Sequence, residues 1–289
     1  MSSPVRFDHV LIELSTRDFE APPSWLTDNF TILEGGTHAG GLTRNNLIPL
    51  PDTTYIELLN IITPPASHED WTSKYPGDFA LTTLPPVTAT ENYNRLVSAL
   101  KSPNGGDGGD GTLGINVTYK PPIPGGRKTP SGEDVKWEIV KAEVLSTQPE
   151  GTGRGAQYGP TTVPFFCHDV TDRKVRVPRV PESGHPSGVV GIKAIEVVVP
   201  GKEIDAFAEL YTAVLGVEER TTEGGDREFA LRAPGTEEET GVVRVRASRT
   251  EEDERYLKER GVGVSALVFR VQGDGELRLP IAGYYLQGR

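Results

Sequence analysis

Phe7-Asp8-His9-Val10-Leu11-Ile12 and Ile192-Lys193-Ala194-Ile195-Glu196-Val197 open two stretches of the chain that read alike. Each is a short run of apolar and β-branched residues, the composition of a strand. Each is followed by the same order of elements: a helix, then three strands. After the first run, Pro22 and Pro23 precede Ser24, a helix-cap candidate, and a short helix over 25–30. Residues 31–34 then lead into a turn at Gly35-Gly36. Strands follow over 45–50 and 55–61, separated by a turn at Pro51-Asp52. After the second run, the helix over 202–215 sets Ile204, Phe207, Tyr211 and Val214 nearly on one face and closes at Gly216. Strands over 217–221, 227–232 and 242–247 complete that unit.

A third copy lies between them. Residues 79–84 read as a strand, and Thr88-Ala89-Thr90-Glu91 has the capping-box spacing that opens a helix over 88–101. Strands over 115–119, 135–140 and 163–168 follow. Toward the end, Thr250 caps a charged helix with Asp253 at capping-box distance. A strand over 264–271 and short strands within 276–286 read as a shortened fourth copy. The fold class expected is α+β: repeated βαβββ modules pairing into curved sheets that form a cup, with helices outside. The expected division is a two-module domain over 1–170, a linker over 171–190 and a C-terminal module plus the shortened one over 191–289. The stretch Asn104 to Gly111, almost all Gly and Asp, is a loop, because the calcium-binding nonapeptide pattern it brushes needs stacked copies.

Bulk properties narrow the partners. A chain of 289 residues with 36% hydrophobic residues buries a sizeable core without staples. A formal net charge of −11 repels phosphate backbones and anionic membrane surfaces, so neither nucleic acid nor a membrane is an expected partner. Arg173, Lys174, Arg176 and Arg179 form the one local basic stretch. It reads either as a solvated loop or as a clamp for a carboxylate or phosphate. The single cysteine, Cys167, permits no intrachain disulfide. With no apolar signal-like run at the start, the expected setting is cytoplasmic. No nucleotide cofactor is expected, and a homodimer is an open expectation.

Several further pieces carry a resemblance. Phe7-Asp8-His9-Val10 and Tyr55-Ile56-Glu57-Leu58 look like the first and fourth strands of vicinal-oxygen-chelate modules. Gly35-Gly36-Thr37-His38, then Gly41, Thr43 and Asn45, Leu47-Ile48-Pro49-Leu50, Val163-Pro164-Phe165-Phe166 and His185-Pro186-Ser187-Gly188 resemble the glyoxalase-like domain family. The resemblance spans about residues 6 to 200. It implies paired modules around a cavity where a divalent metal often sits, held by His from first strands and Glu from fourth strands. The chemistry it implies ranges over isomerase, lyase, epimerase and dioxygenase reactions, and some relatives bind a ligand with no metal.

On that resemblance His9 and Glu57 occupy metal positions, and either a metal or a plain His–Glu hydrogen bond would satisfy them. His168, in Phe165-Phe166-Cys167-His168-Asp169, is the candidate third ligand if it faces the cup; otherwise it is a solvent-side strand end. His9, Glu57 and His168 would suit Fe, Mn, Zn or Ni with open positions for substrate. Glu57 or Glu13 is the candidate proton shuttle. His38, Thr43, Asn45, Tyr55 and Phe166 are candidate substrate-binding residues, with Trp137 beside them, and bracing of a loop is the plainer role for His38, Thr43 and Asn45. Cys167 and His168 point to opposite faces of one strand and form no catalytic dyad. Ala194 and Arg244 replace His and Glu in the C-terminal module, which predicts no second metal site there. Three functions therefore compete: a metal-dependent enzyme acting on a small oxygen-bearing organic substrate, a metal-free protein that binds or sequesters such a molecule, and a structural or interaction protein whose cup is filled by side chains. An open pocket beside His9 would speak against the third.

Overall fold

The computed structural model of the protein describes residues 3–62, 77–100, 115, 117–144, 158–159, 161–273 and 275–280. The expected Gly/Asp loop from Asn104 and the residues beyond 280 lie outside these.

The first module runs β1 (Val5–Glu13), α1 (Thr16–Glu20), α2 (Ser24–Thr27), β2 (Leu33–Thr37), β3 (Thr43–Pro49) and β4 (Tyr55–Ile61). The second contains β5 (Gly77–Thr83), α3 (Ala89–Leu100), β6 (Val117–Tyr119), β7 (Ile123–Lys128), β8 (Asp134–Val140), β9 (Ala142–Val144) and β10 (Phe165–Asp169). Together they build one eight-stranded sheet in the order β2-β3-β4-β1-β5-β10-β8-β7. In each module the first and last strands pair in parallel, β1 with β4 and β5 with β10. The two modules join where β1 runs antiparallel to β5. This is the cup that the repeated units imply. It curls until its edges meet: Ala39 N–H donates to Gly126 O at 2.8 Å, and Arg127 of β7 donates to Gly35 O of β2 at 2.5 Å.

Two readings of this half need correction. Gly35-Gly36 is not a turn but lies within β2, at a bulge where Gly36 takes φ +139°. A side chain at Gly36 would meet Lys128 O, and one at Gly35 would meet the Asn45 amide, so the pair lets two strands approach. The strand expected over 115–119 forms as β6 but pairs with β9 apart from the main sheet, and β7 takes its place in the second module. The β7 sequence, Ile123-Pro-Gly-Gly-Arg-Lys128, reads as a turn, yet as an edge strand it tolerates Pro and Gly. The helix α3 opens as expected, with Thr88 and Glu91 exchanging both capping-box bonds.

The remainder forms a second sheet. After α4 (Arg173–Arg176) come β11 (Val189–Val199), α5 (Ile204–Leu215), β12 (Glu219–Thr221), β13 (Arg227–Leu231), β14 (Gly241–Ala247), α6 (Glu251–Arg260), β15 (Gly263–Val271) and β16 (Glu276–Pro280). Their order is β12-β13-β14-β11-β15-β16. Gly216 ends α5 in the left-handed region, and Thr250 and Asp253 close a capping box on α6. The shortened fourth copy has the expected order, the charged helix α6 and then β15, and β16 pairs antiparallel with β15. The helix-bearing faces of the two sheets share one core that includes Leu96, Phe166, Phe207 and Tyr211. Burying each such side chain contributes about 1.5–3 kcal/mol. That core leaves the opposite, concave face of the first sheet as the wall of the cup.

Candidate active site

A bulge in β1 sets the site. The pairing with β5 slips between Phe7 and His9, so Asp8 is the extra residue. Strict alternation would send Asp8 and His9 to opposite faces. The slip instead lets the Asp8 carboxylate reach His9 Nδ1 at 2.8 Å. Asp8 is fully buried, and α4 supplies its countercharge: Arg176 grips it with two bonds of 2.9 Å, and Arg173 contacts Oδ1. Burial opposes the Asp8 charge, but the two guanidiniums and His9 outweigh it and hold the carboxyl well below its ordinary range. Arg176 also donates to the Tyr55 hydroxyl at 2.9 Å and to Asp169 at 2.5 Å. Arg173 and Arg176 of the basic stretch are therefore a carboxylate clamp, and the carboxylates, Asp8 and Asp169, belong to the chain itself.

With Nδ1 held by Asp8, His9 turns Nε2 toward Glu57 Oε2 at 3.3 Å, where it has no aligned hydrogen-bond partner. The His9 ring stacks on Tyr55 with centroids 4.6 Å apart and meets the edge of Phe165. Asn45 donates to Glu57 Oε1 at 2.7 Å, and His38 Nε2 stands 3.5 Å from the same oxygen. Thr43 bonds His38 Nδ1 at 2.7 Å. Burial works against both charges of the central pair, yet the pair prevails. Asp8 and Glu57 raise the His9 pKa, and the His9 contact, the charges of His38 and His9, and Asn45 bring Glu57 down to about 2. Burial lowers the His38 pKa, against the opposing pull of the Glu57 carboxylate. All of this faces a cavity of about 730 Å³, whose other walls include Leu59, Trp137, Ile139 and Phe165. A mostly apolar cleft with a few convergent polar groups has the form of a small-molecule site.

His9, His38, Thr43, Asn45, Tyr55 and Glu57 thus converge on one cavity. Three expected residues do not join them. His168 and Phe166 sit on the helix side of β10, because alternation places Phe165 and Cys167 toward the cup instead. His168 is buried against α3: Asn92 donates to Nε2 at 3.3 Å, and Nδ1 meets Thr83 Oγ1 at 3.1 Å. Phe166 is part of the core that joins the two sheets. Glu13 shares the strand face of His9 and is buried, which pushes its carboxyl up to about 7, but it lies at the end of β1 outside the cavity lining.

Burial lowers the His168 pKa to about 4, below the ordinary 6.5 that it regains on unfolding. The unfolded chain therefore binds the proton first, and His168 lowers stability as the pH falls from about 6.5 toward 4. We expect His168→Gln to flatten that part of a stability–pH curve relative to wild type while leaving the His9 titration in place. Parallel curves from chemical denaturation would refute the placement.

The donor set does not fit a resident divalent metal. The parallel registers pair His9 with Tyr55 and Ala80 with Phe165, so Ala80 and Cys167 stand in the second module where His9 and Glu57 stand in the first. Alanine offers no donor. Burial pushes the Cys167 thiol up and keeps it protonated, and a thiol must ionise to ligate. Among the described residues no group of three or more His, Cys, Asp or Glu side chains is arranged to hold a metal ion. The expected set of His9, Glu57 and His168 fails because His168 is on the other side of the sheet.

Asp8, Arg127 and Asp78 were missed by reading the sequence, whereas Arg176 stood in the basic stretch with a clamp among its readings. Two arginines three residues apart, at 173 and 176, were a signal for a buried acid; nothing local marked Asp8 as that acid.

The fold and the cup define a class: paired βαβββ modules of the vicinal-oxygen-chelate type. The glyoxalase-like domain family matches residues 7–215, and the chain belongs to that family. Solved structures share the fold. A hypothetical protein from Staphylococcus aureus aligns with TM-score 0.55 and 15% identity over 85% of this chain and 87% of that one. A mutant of 4-hydroxymandelate synthase from Streptomyces coelicolor aligns with TM-score 0.52 and 14% identity over 94% of this chain and 72% of that one. A xylose isomerase-like TIM barrel/4-hydroxyphenylpyruvate dioxygenase fusion protein gives 0.47 and 13%, over 93% of this chain and 37% of that one. No curated protein matches. Among the described residues no helix is long and apolar enough to cross a membrane.

Proposed function

We propose that the cup binds a small oxygen-bearing organic molecule and moves protons on it with His9 and Glu57, without a metal between them. The observation that carries this reading is the buried Nε2 of His9, unbonded and facing both an ionised carboxylate and the cavity. An imidazolium there donates a hydrogen bond to a ligand carbonyl oxygen, while Glu57 accepts a proton from the carbon beside that carbonyl. A carboxylate with a pKa of about 2 is a weak base while its histidine neighbour is charged. Once His9 passes its proton to the ligand oxygen, that charge is gone and Glu57 becomes more basic at the moment it is needed. Asp8 and Arg176 hold the ring in orientation throughout, acting through His9 as positioning residues.

The test is carbon-bound hydrogen exchange in D2O, followed by NMR, on a panel of small ketones, hydroxy ketones and 1,3-diketones. We expect at least one panel member to exchange, with His9→Gln slowing exchange by about 10²–10⁴-fold. Elemental analysis of the same preparation is expected to find Fe, Mn, Zn and Ni far below one per chain. Stoichiometric metal lost in His9→Gln would overturn the metal-free reading. A panel member that binds without exchanging would reassign the cup to ligand binding.

A further inference from the structure

We infer that Asp78 is a second proton-carrying group of the cup, placed to protonate an oxygen that leaves the ligand as Glu57 removes a proton. The inference rests on the acid–base reading above. Asp78 lies directly across from Leu11 on β5, and Glu57 lies directly beside Leu11 on β4. Leu11, Glu57 and Asp78 all line the cavity. They form one row across three strands, which sets the two carboxyl-bearing Cα atoms roughly 10 Å apart. A small molecule over Leu11 lies between the two carboxyl groups.

Their surroundings are opposite. Glu57 is ringed by His9, His38 and Asn45. Among the described residues, Asp78 accepts a hydrogen bond from the N–H of Phe79 at 2.7 Å. Burial pushes the carboxyl up to about 8. Lys141 beyond the end of β8 and His9 on β1 only partly offset this, and the other titratable groups near it, Tyr119 on β6 and Tyr211 on α5, are phenols whose own pKa it raises. Asp78 therefore carries an O–H at neutral pH while Glu57 is ionised. Two carboxyls in one cavity held in different protonation states take the acid and base roles respectively.

The chemistry this division suits is elimination of water from a β-hydroxy carbonyl compound. Glu57 takes the proton from the carbon next to the carbonyl, and the C–H electron pair becomes the new C=C. The C–O bond to the β-hydroxyl breaks, and Asp78 gives its proton to the departing oxygen, releasing water. Glu57 ends protonated and Asp78 ionised; exchange with solvent restores both, and no oxidant or reductant is needed.

Dicyclohexylcarbodiimide, which adds to protonated carboxyls in apolar surroundings, tests the acid on the intact protein by peptide mass mapping. Labelling at Asp78 is expected near pH 6.5 and to fall about tenfold by pH 9, with Glu57 unlabelled. The second measurement uses 4-hydroxy-2-butanone and related β-hydroxy ketones, comparing hydrogen exchange with the ultraviolet absorbance of the conjugated product. In Asp78→Asn, the ratio of elimination to exchange is expected to fall about 100-fold or more. Absence of label at Asp78 overturns the inference, as does a wild type that exchanges without eliminating, or an unchanged ratio in the variant. A wild type that exchanges no probe instead defeats the acid–base reading beneath it. The wild-type labelling needs no variant to fold.

Discussion

Arg176→Met is expected to lower the unfolding free energy by about 3–5 kcal/mol, read from urea denaturation at neutral pH. The reason lies in what it leaves behind. Asp8 is fully buried and Arg176 nearly so, and two parallel hydrogen bonds join them. Met fills most of the volume but takes away those bonds, the bond to the Tyr55 hydroxyl and the bond to Asp169. Arg173 alone then faces the buried Asp8 charge. A whole domain is stable by about 5–15 kcal/mol, so this one side chain accounts for a large share. The pH dependence follows from sign. Asp8 has its carboxyl held below the ordinary value, so its stabilisation is present above the unfolded pKa and disappears as the pH falls through the folded one. Removing Arg176 weakens that depression. The gap between wild type and variant should be widest near neutrality and shrink below about pH 4. Coincident urea curves would show that the clamp does not hold the site.

Periodicity and punctuation carried most of the fold. The β-branched runs, the Thr88–Glu91 and Thr250–Asp253 boxes and the apolar stripe of α5 are local signals, and local physics obeys them. β7 escaped because Pro124, Gly125 and Gly126 speak against a strand unless it lies at an edge, and edges are decided by the whole sheet. The site was legible in part. His9 and Glu57 were placed by the family resemblance of their two strands, and alternation set only which neighbours share their faces. Asp8 could not be placed by either, because the β1 bulge breaks the alternation beside His9. Asp78 and Arg176 lie far from His9 in sequence, and only the β1–β5 pairing and the packing of α4 bring them to it. The error over His168 had a different source. Alternation already put Cys167 and His168 on opposite faces, but which face met the cup depended on the register of β10 with β5, which places Phe165 beside Ala80.

That register also bears on how one fold serves different chemistries. Paired modules bring four equivalent positions to the cup, two per module. Here only the first module fills both with ionisable groups, while the second supplies Ala80 and Cys167. The charge that four donors would have given to an ion is redistributed: His9 leans on Asp8, Glu57 leans on Asn45, and both face open cavity. On the acid–base reading proposed above, the site holds protons in defined places.

Glu57→Gln is therefore expected to slow hydrogen exchange on a responsive carbonyl probe by about 10²–10⁴-fold without unfolding the protein. Glutamine keeps the shape, and its amide oxygen can still accept from Asn45, so the cup should remain intact. The carboxylate that accepts the proton is gone. A second signature separates this loss from a general disturbance. Glu57 is one of the groups that raise the His9 pKa, so the variant should titrate His9 at lower pH than wild type, measured by NMR on the ring nitrogens. His38 should move the same way, because Glu57 also favours its charged form. Unchanged exchange would remove Glu57 from the chemistry. Slowed exchange with an unmoved His9 titration would mean that the two side chains are not the coupled pair their 3.3 Å contact indicates.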